Sequence, residues 1–367
     1  MNIALVHDYL REYGGAERVL EAMHEIWPEA PLYSSFVDWE ALGNQAYRFK
    51  DWDIRTSPIA DNWLVRTFHS PLRFLAPKIW NSFDLSGYDV VVTSSGWFMC
   101  RGVRVKKPTV HICYIHHPPR NLYGYATGSS LQKYWPVRLY ATVVNFYLRH
   151  YDFETAQRVD YFIANSKETA RRVEKFYRRK SEIIYPPVEL RTQNSMTNTK
   201  RSYFLSVGRL TYSKRVDLAI QAANKLKLPL KVVGTGAEEK YLRSLAGPTV
   251  EFLGSVSDSE LAELYAGAKA LIFCALDEDF GIVPVEAMAY GTPVIALAQG
   301  GVLETIVPRK TGVLFNQPTV DSLLKAIRQF TNLPMSQSDC IVQAKKFEKA
   351  RFQNKLKAFV EEKFTAP

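Results

Sequence analysis

Short apolar runs separated by turn formers and helical segments recur along most of the chain. Ile3 to Val6, Leu32 to Phe36, Val90 to Ser94, Thr109 to Ile115 and Tyr161 to Asn165 read as buried strands. Between them the spacing turns helical. Val19, Leu20, Met23 and Ile26 share one face ahead of Pro28, and Ser166 is placed to cap a helix running to Tyr177. The alternation continues with strands at Tyr203 to Val207, Leu230 to Gly234, Val250 to Val256, Ala270 to Ala275 and Pro293 to Leu297, and with helices ending at Lys225 and over 318–330. Strands alternating with helices predict an α/β protein with parallel sheets. Phe347, Phe352, Leu356, Phe359 and Phe364 predict an amphipathic terminal helix.

One break divides this pattern. Tyr185-Pro186-Pro187-Val188 closes the first series, and the polar run Arg191 to Arg201 has no periodicity. The expected organisation is a first domain over 1–187, a linker over 188–201, a second domain over 202–345 and a terminal helix over 346–367. No sequence repeat relates the halves.

Composition adds three constraints. With 367 residues, 47% of them apolar, the chain is long enough for two globular domains. Its net charge of +10 favours an anionic partner such as a nucleotide diphosphate, an acidic lipid surface or nucleic acid. Cys100, Cys113, Cys274 and Cys340 lie far apart without metal spacing, which predicts a reducing compartment and no structural metal. The N-terminus lacks a leader pattern and no uncharged stretch reaches the ~20 residues of a membrane span, so a cytoplasmic protein is expected. It can still lie on a membrane. Residues 101–150 carry eight Lys or Arg, no Asp or Glu, and eight interleaved Trp, Tyr or Phe, and the aromatic, basic pattern includes Trp63 to Phe83 and Leu131 to Tyr151. Such a surface suits anionic headgroups. Amphipathic helices packed within a domain, with a solvated basic face, have the same appearance.

The densest chemistry lies in 277–295, between two apolar strands. Glu278 falls in the loop after the first strand and Glu286 in the helix that follows, near the carboxyl ends of parallel strands where α/β sheets bind ligands. Ionised carboxylates accept hydrogen bonds from neighbouring hydroxyls, so the pair suits a polyhydroxylated ligand. Acids that merely complement a helix dipole would look alike. N–H groups near Phe280, Gly281, Ile282 and Val283 are candidates for ligand oxygens. Arg209 and Lys214, five apart on the way into a helix, can converge on one diphosphate. Gly14-Gly15 opens a helix after the first strand, where backbone amides can approach phosphate; a plain tight turn is the alternative. His116-His117-Pro118-Pro119-Arg120 ends another strand, with prolines that would fix a ring and a guanidinium.

Glu278, the seven-residue gap, Glu286, the Phe-Gly-Ile-Val-Pro between them and the trailing Ala-Met-Ala-Tyr-Gly-Thr-Pro-Val-Ile resemble the donor-site signature of retaining GT-B glycosyltransferases, glycosyltransferase family 4. Gly208-Arg209-Leu210 with Lys214 resembles the family's phosphate-binding element, and Gly234-Thr235-Gly236 its turn beside the nucleotide, with Val256 bordering the base. The resemblance implies two Rossmann-like domains facing across a cleft, the terminal helix crossing back to the first. It implies sugar transfer from a nucleotide diphosphate sugar with retention, catalysed by Glu278, His116, Arg209 and Lys214. Gly14 and Gly15 join the donor site, while His116 and Arg120 lie on the acceptor side. A glycan or polyprenyl-diphosphate-linked acceptor, GDP-mannose as donor, no cofactor and no metal complete the expectation. The Asp277-Glu278-Asp279 triplet would otherwise invite a divalent ion. Two other classes stay open: a nucleotide-sugar epimerase or dehydrogenase, disfavoured by the missing third glycine of a dinucleotide fingerprint, and a non-catalytic membrane-surface or nucleic-acid-binding protein. Clustered carboxylates would repel a nucleic-acid backbone, so no nucleic acid is expected.

Overall fold

A computed structural model describes residues 1–126, 134–190 and 201–365. Residues 191–200 of the expected linker and 131–133 of the aromatic, basic stretch lie outside the described residues. The chain forms two compact units. The first comprises Met1–Tyr125, Tyr134–Pro187 and the C-terminal segment from Ala350; the second includes Val188–Lys349.

The first unit is built on a parallel seven-stranded sheet of β1 (Ile3–His7), β2 (Leu32–Ser34), β3 (Ile54–Thr56), β4 (Val90–Ser95), β5 (Val110–Ile115), β6 (Tyr161–Ala164) and β7 (Ser181–Ile183), ordered β3-β2-β1-β4-β5-β6-β7. Alternation along β1 feeds two cores. Leu5 joins Leu20, Met23, Leu32, Ile112 and Tyr114 on one face, while Ala4 and Val6 join Trp80, Phe98 and Tyr151 on the other. The terminal helix Lys349–Thr365 lays Phe352, Leu356 and Val360 into the first of these cores, each side chain contributing roughly 1.5–3 kcal/mol by burial. Phe347 departs from the expectation. It sits in a 3-10 turn and packs on Phe280 of the second unit, with ring centroids 5.4 Å apart, because the helix starts only at Lys349.

The second unit holds a parallel six-stranded sheet of β8 (Tyr203–Val207), β9 (Leu230–Val233), β10 (Val250–Gly254), β11 (Ala268–Phe273), β12 (Val294–Leu297) and β13 (Gly312–Phe315), ordered β10-β9-β8-β11-β12-β13. Helices Val216–Leu226 and Val320–Thr331 cover one face over Phe204, Val232, Ile272, Ile295 and Val313. β3, β7 and β13 escape the sequence pattern. The first two are three-residue edge strands, Ile-Arg-Thr and Ser-Glu-Ile, too short and polar for an apolar run, and β13 opens on a glycine. The strand expected to reach Val256 stops at Gly254, whose φ of 68° turns the backbone out of the sheet.

Each sheet reverses its winding once. Crossovers run β1 to β2 to β3 in one direction, and β4 then resumes on the other side of β1; β8 and β11 do the same in the second unit. At such a switch point the loops after the two central strands splay apart and leave room for a ligand at the carboxyl edge.

A buried histidine ties the first unit's stability to pH. His111, on β5, is enclosed, with its Nε2 3.4 Å from the Thr93 hydroxyl. Burial, helped by Arg101 and opposed by Asp160, holds its pKa down from 6.5 to about 4. Its folded pKa lies below the unfolded value, so its contribution is complete above pH 6.5 and is lost as pH falls toward 4. The loss amounts to ~3 kcal/mol. Denaturant unfolding at pH 7 and pH 4 should therefore show a smaller difference for His111→Gln than for the parent, by about that amount. Equal differences would exclude the imidazole as the source.

Candidate functional site

In the second unit, the loops after successive strands are hydrogen-bonded into one edge. Gly208 N–H donates to the Val233 carbonyl at 3.1 Å, Leu210 N–H to Thr235 at 2.8 Å, Glu238 N–H to Leu210 at 2.9 Å and Gly234 N–H to Gly254 at 2.7 Å. Gly234 has φ 120°, and a Cβ there would collide with the Gly208 carbonyl oxygen, so the two loops meet only because residue 234 carries no side chain. Across the switch point, Leu276 N–H donates to the Ser213 carbonyl at 2.8 Å.

That bond brings the two loops' charges together. Lys214 Nζ donates to Glu278 Oε2 at 2.7 Å, with the side chains 23% and 16% exposed, and the ammonium lies 5.4 Å from the Phe273 ring centroid. Arg209 is exposed on the same β8 loop. Glu278 is held from behind. Its carbonyl accepts from Gly301 N–H at 2.9 Å, and Gly300, with φ 68°, passes so close that a Cβ would strike that oxygen. Gly281, with φ 87°, turns the chain into helix Ile282–Ala289, with Pro284 in its first turn. Glu286 on this helix is buried and accepts from the Tyr265 hydroxyl at 3.0 Å. The edge thus presents cations for an anion beside carboxylates for hydroxyls.

In the first unit, the β1–β4 switch point is built from buried polar groups. The Asp8 carboxylate accepts backbone N–H bonds from Gly96 at 2.9 Å, Phe98 at 3.0 Å and Cys100 at 2.9 Å, shaping the loop after β4. His7 Nδ1 lies 3.0 Å from Ser94 Oγ, which lies 2.8 Å from His116 Nε2. His7 Nε2 is 3.4 Å from Glu17 Oε1, and Glu17 Oε2 accepts the Gly14 N–H at 2.8 Å. The His116 carbonyl accepts from Asn165 Nδ2 at 2.9 Å, and Arg120 opens a short helix, Arg120–Tyr123, after the two prolines. The four cysteines are buried, and burial pushes the Cys113 and Cys340 thiols up to about 12, which keeps them neutral. Among the described residues no group of three His, Cys, Asp or Glu is arranged to hold a metal ion.

Two family models match in series: Glycosyltransferase Family 4 over residues 13–192 and Glycosyl transferases group 1 over 189–347. An uncharacterised glycosyltransferase of Methanocaldococcus jannaschii, MJ1607, is 36% identical over 128 residues, 32% of this chain and 33% of that protein. A GDP-mannose-dependent alpha-mannosyltransferase of Mycobacterium tuberculosis is 40% identical over 108 residues, 29% of this chain and 28% of its own. The chain therefore spans about a third of the length of these relatives. Among solved structures, Anabaena Alr3699/HepE in complex with UDP-glucose aligns with TM-score 0.68 at 18% identity, covering 99% of this chain and 100% of that one. The chain thus carries two glycosyltransferase domains in series, Glycosyltransferase Family 4 and then Glycosyl transferases group 1, on a GT-B fold.

Of the residues singled out in the sequence, the structure joins some and gives others partners of their own. Lys214 and Glu278 meet, and Gly234 packs on the loop that carries Arg209. Val256 lies half-buried just past the end of β10, and Phe280 is buried under the Glu278 loop. Two groups have partners that the sequence did not announce. The Gly14 amide, expected to face phosphate, is occupied by Glu17, because Gly14 is a helix N-cap and Glu17 stands three residues into a capping box. One oxygen of the Glu286 carboxylate, the group expected to face ribose, accepts from the Tyr265 hydroxyl. His7, Asp8, Ser94, Glu17 and Tyr265 were missed by the sequence reading. The signal for Glu17 was present as Gly14-x-x-Glu17, and polar residues ending apolar strands marked His7, Asp8 and Ser94.

The glycine packing makes a stability prediction. Gly300→Ala should destabilise the second unit by ~2 kcal/mol, through both φ 68° and the collision with the Glu278 carbonyl. Denaturant unfolding reads this, and unchanged stability would show that the loop after β12 can withdraw from Glu278.

Proposed function

We propose that this GT-B protein is a retaining, metal-independent glycosyltransferase that moves a sugar from a nucleotide diphosphate sugar to a glycan or polyprenyl-diphosphate-linked acceptor in bacterial surface polysaccharide synthesis. The Lys214–Glu278 contact at the β8–β11 switch point carries the reading, since it sets a phosphate-binding cation against a hydroxyl-binding carboxylate. Lys214 and Arg209 take the donor's diphosphate, Glu278 the sugar hydroxyls and Glu286 the ribose diol. His116 and Arg120 serve the acceptor side. In the transfer, the bond from the anomeric carbon to the diphosphate oxygen breaks and the bond to the acceptor oxygen forms on the same face. The departing phosphate oxygen takes the acceptor's proton. The two cations stabilise the charge gathering on the leaving group, and no enzyme carboxylate acts as nucleophile, in contrast to retaining glycosidases.

The donor base and sugar are proposed as GDP-mannose, in line with the Mycobacterium tuberculosis relative's name, although HepE was solved with UDP-glucose. A thermal-shift panel of UDP, GDP and ADP with their sugars decides this, because a ligand that binds only the native state raises Tm. Glu278→Gln, which keeps the size and removes the charge, should lower kcat by about a hundredfold while the fold persists. Wild-type turnover in that variant would remove Glu278 from the reaction. Chelation should leave the rate unchanged.

Peripheral attachment to the inner face of the cell membrane also belongs to this reading. Trp63 is 70% exposed and Trp135 69%, and Leu139, Val143, Phe146 and Tyr147 stand exposed along helix Trp135–Arg158 with Arg138 nearby. Arg73 donates to Asn145 on that helix at 2.8 Å, tying it to the chain that follows helix Trp63–Phe68. Among the described residues no helix is long and apolar enough to cross a membrane. Cosedimentation with phosphatidylglycerol vesicles should be lost in the Trp63→Ala, Trp135→Ala double variant and retained with neutral vesicles by neither form.

A further inference from the structure

The turn that carries Lys214 has two sides. On one, the Ser213 carbonyl accepts from Leu276 and Lys214 reaches Glu278. On the other, Tyr212 and Arg215 line a cavity of about 250 Å³ together with Asp217, Glu238, Tyr241 and Leu242. Arg209, Lys214, Glu278 and Glu286 do not border it, so it is a separate place in the same unit.

Its lining mixes apolar, aromatic and charged groups. Leu242 is buried, while Tyr212 and Tyr241 are each 51% exposed. Arg215 forms a fork on Asp217, Nε to Oδ1 and one terminal nitrogen to Oδ2, both at 2.9 Å. With φ 49°, Arg215 occupies the left-handed region that non-glycine residues enter at a cost, so the turn and not the helix it opens places this fork. The pairing uses one edge of the guanidinium and leaves the N–H groups of the other terminal nitrogen for a ligand oxygen. Glu238, whose N–H is fixed to the Leu210 carbonyl at 2.9 Å, brings a carboxylate with no ion pair or hydrogen bond among the described residues.

These groups select by charge. Two carboxylates against one guanidinium leave the lining net negative, which repels phosphate, and the open guanidinium edge repels a quaternary ammonium. What suits the cavity is a neutral ring, apolar on its faces and hydroxylated around its edge. Its hydroxyls can donate to Glu238 and Asp217 and accept from Arg215, while its C–H faces pack on the phenol rings and Leu242. The volume falls below the roughly 300–1,000 Å³ of drug-sized sites, which suits one sugar ring better than a nucleotide.

We propose that this cavity is a binding site for a neutral glycosyl unit, apart from the donor edge but sharing the Tyr212–Lys214 turn with it. The assignment uses only the lining and stands whether or not the chain transfers sugar. Saturation-transfer-difference NMR of the whole chain, titrated with methyl α-mannopyranoside and methyl α-glucopyranoside, tests it. At least one glycoside should give a saturable signal. Its affinity should fall about tenfold in Glu238→Gln, which keeps the shape and removes the charge that strengthens hydroxyl bonds, and about tenfold in Tyr241→Ala, which removes a ring face. Tm should match the parent in both variants, since neither side chain is buried. Unchanged affinity in both variants, or no saturable signal from either glycoside, overturns the site. A signal lost only in Glu278→Gln places the sugar at the donor edge and also overturns it. Displacement of the glycoside by inorganic phosphate or by choline overturns the ligand class.

Discussion

A single backbone hydrogen bond, Leu276 N–H to the Ser213 carbonyl, does much to define the second unit. It joins the loops on either side of the place where the sheet reverses its winding, and so puts Lys214 and Glu278 within 2.7 Å of each other. Neither side chain reaches that position through helix propensity or apolar pattern. The opposed charges are separated by 64 residues and meet only because β8 and β11 are neighbours. Behind them the glycines at 234 and 300 let loop backbones approach closely, at a conformational cost the parallel sheet offsets through its buried faces.

The first unit solves a related problem with buried polar groups. Its switch point is shaped by Asp8, which satisfies three backbone N–H groups of the loop after β4, and by the run from Glu17 to His116. Buried groups of this kind are costly when left unpaired and rigid when satisfied. The result is a fixed ring at the end of β5 and a fixed turn at the start of the first helix.

Much of the architecture was legible because parallel strands buried on both faces read as unbroken apolar runs, as at Val90 to Ser94 and Ala270 to Ala275. Edge strands failed that test: Ile54–Thr56 and Ser181–Ile183 are held by pairing with a neighbour and have no pattern of their own. Phe347 continued the aromatic spacing of the last helix yet belongs to a turn, since spacing alone does not mark where a helix begins. The residues Glu278, Lys214 and His116 were visible as motif positions. Their partners were not, because Tyr265, Ser94 and His7 are ordinary residues in sequence and acquire meaning only from the groups the sheets set beside them. The same limit explains Gly14, whose amide reads as open until Glu17 is seen to fill it.

Under the proposed function, the carboxyl edge around the β8–β11 switch point receives a nucleotide diphosphate. Hydrogen exchange of the whole chain, followed by mass spectrometry with and without a saturating nucleoside diphosphate, tests it most directly. Protection concentrated in residues 208–215 and 277–286 is the expected result. Protection elsewhere with none in those two segments, or no protection under saturating UDP, GDP or ADP, contradicts it.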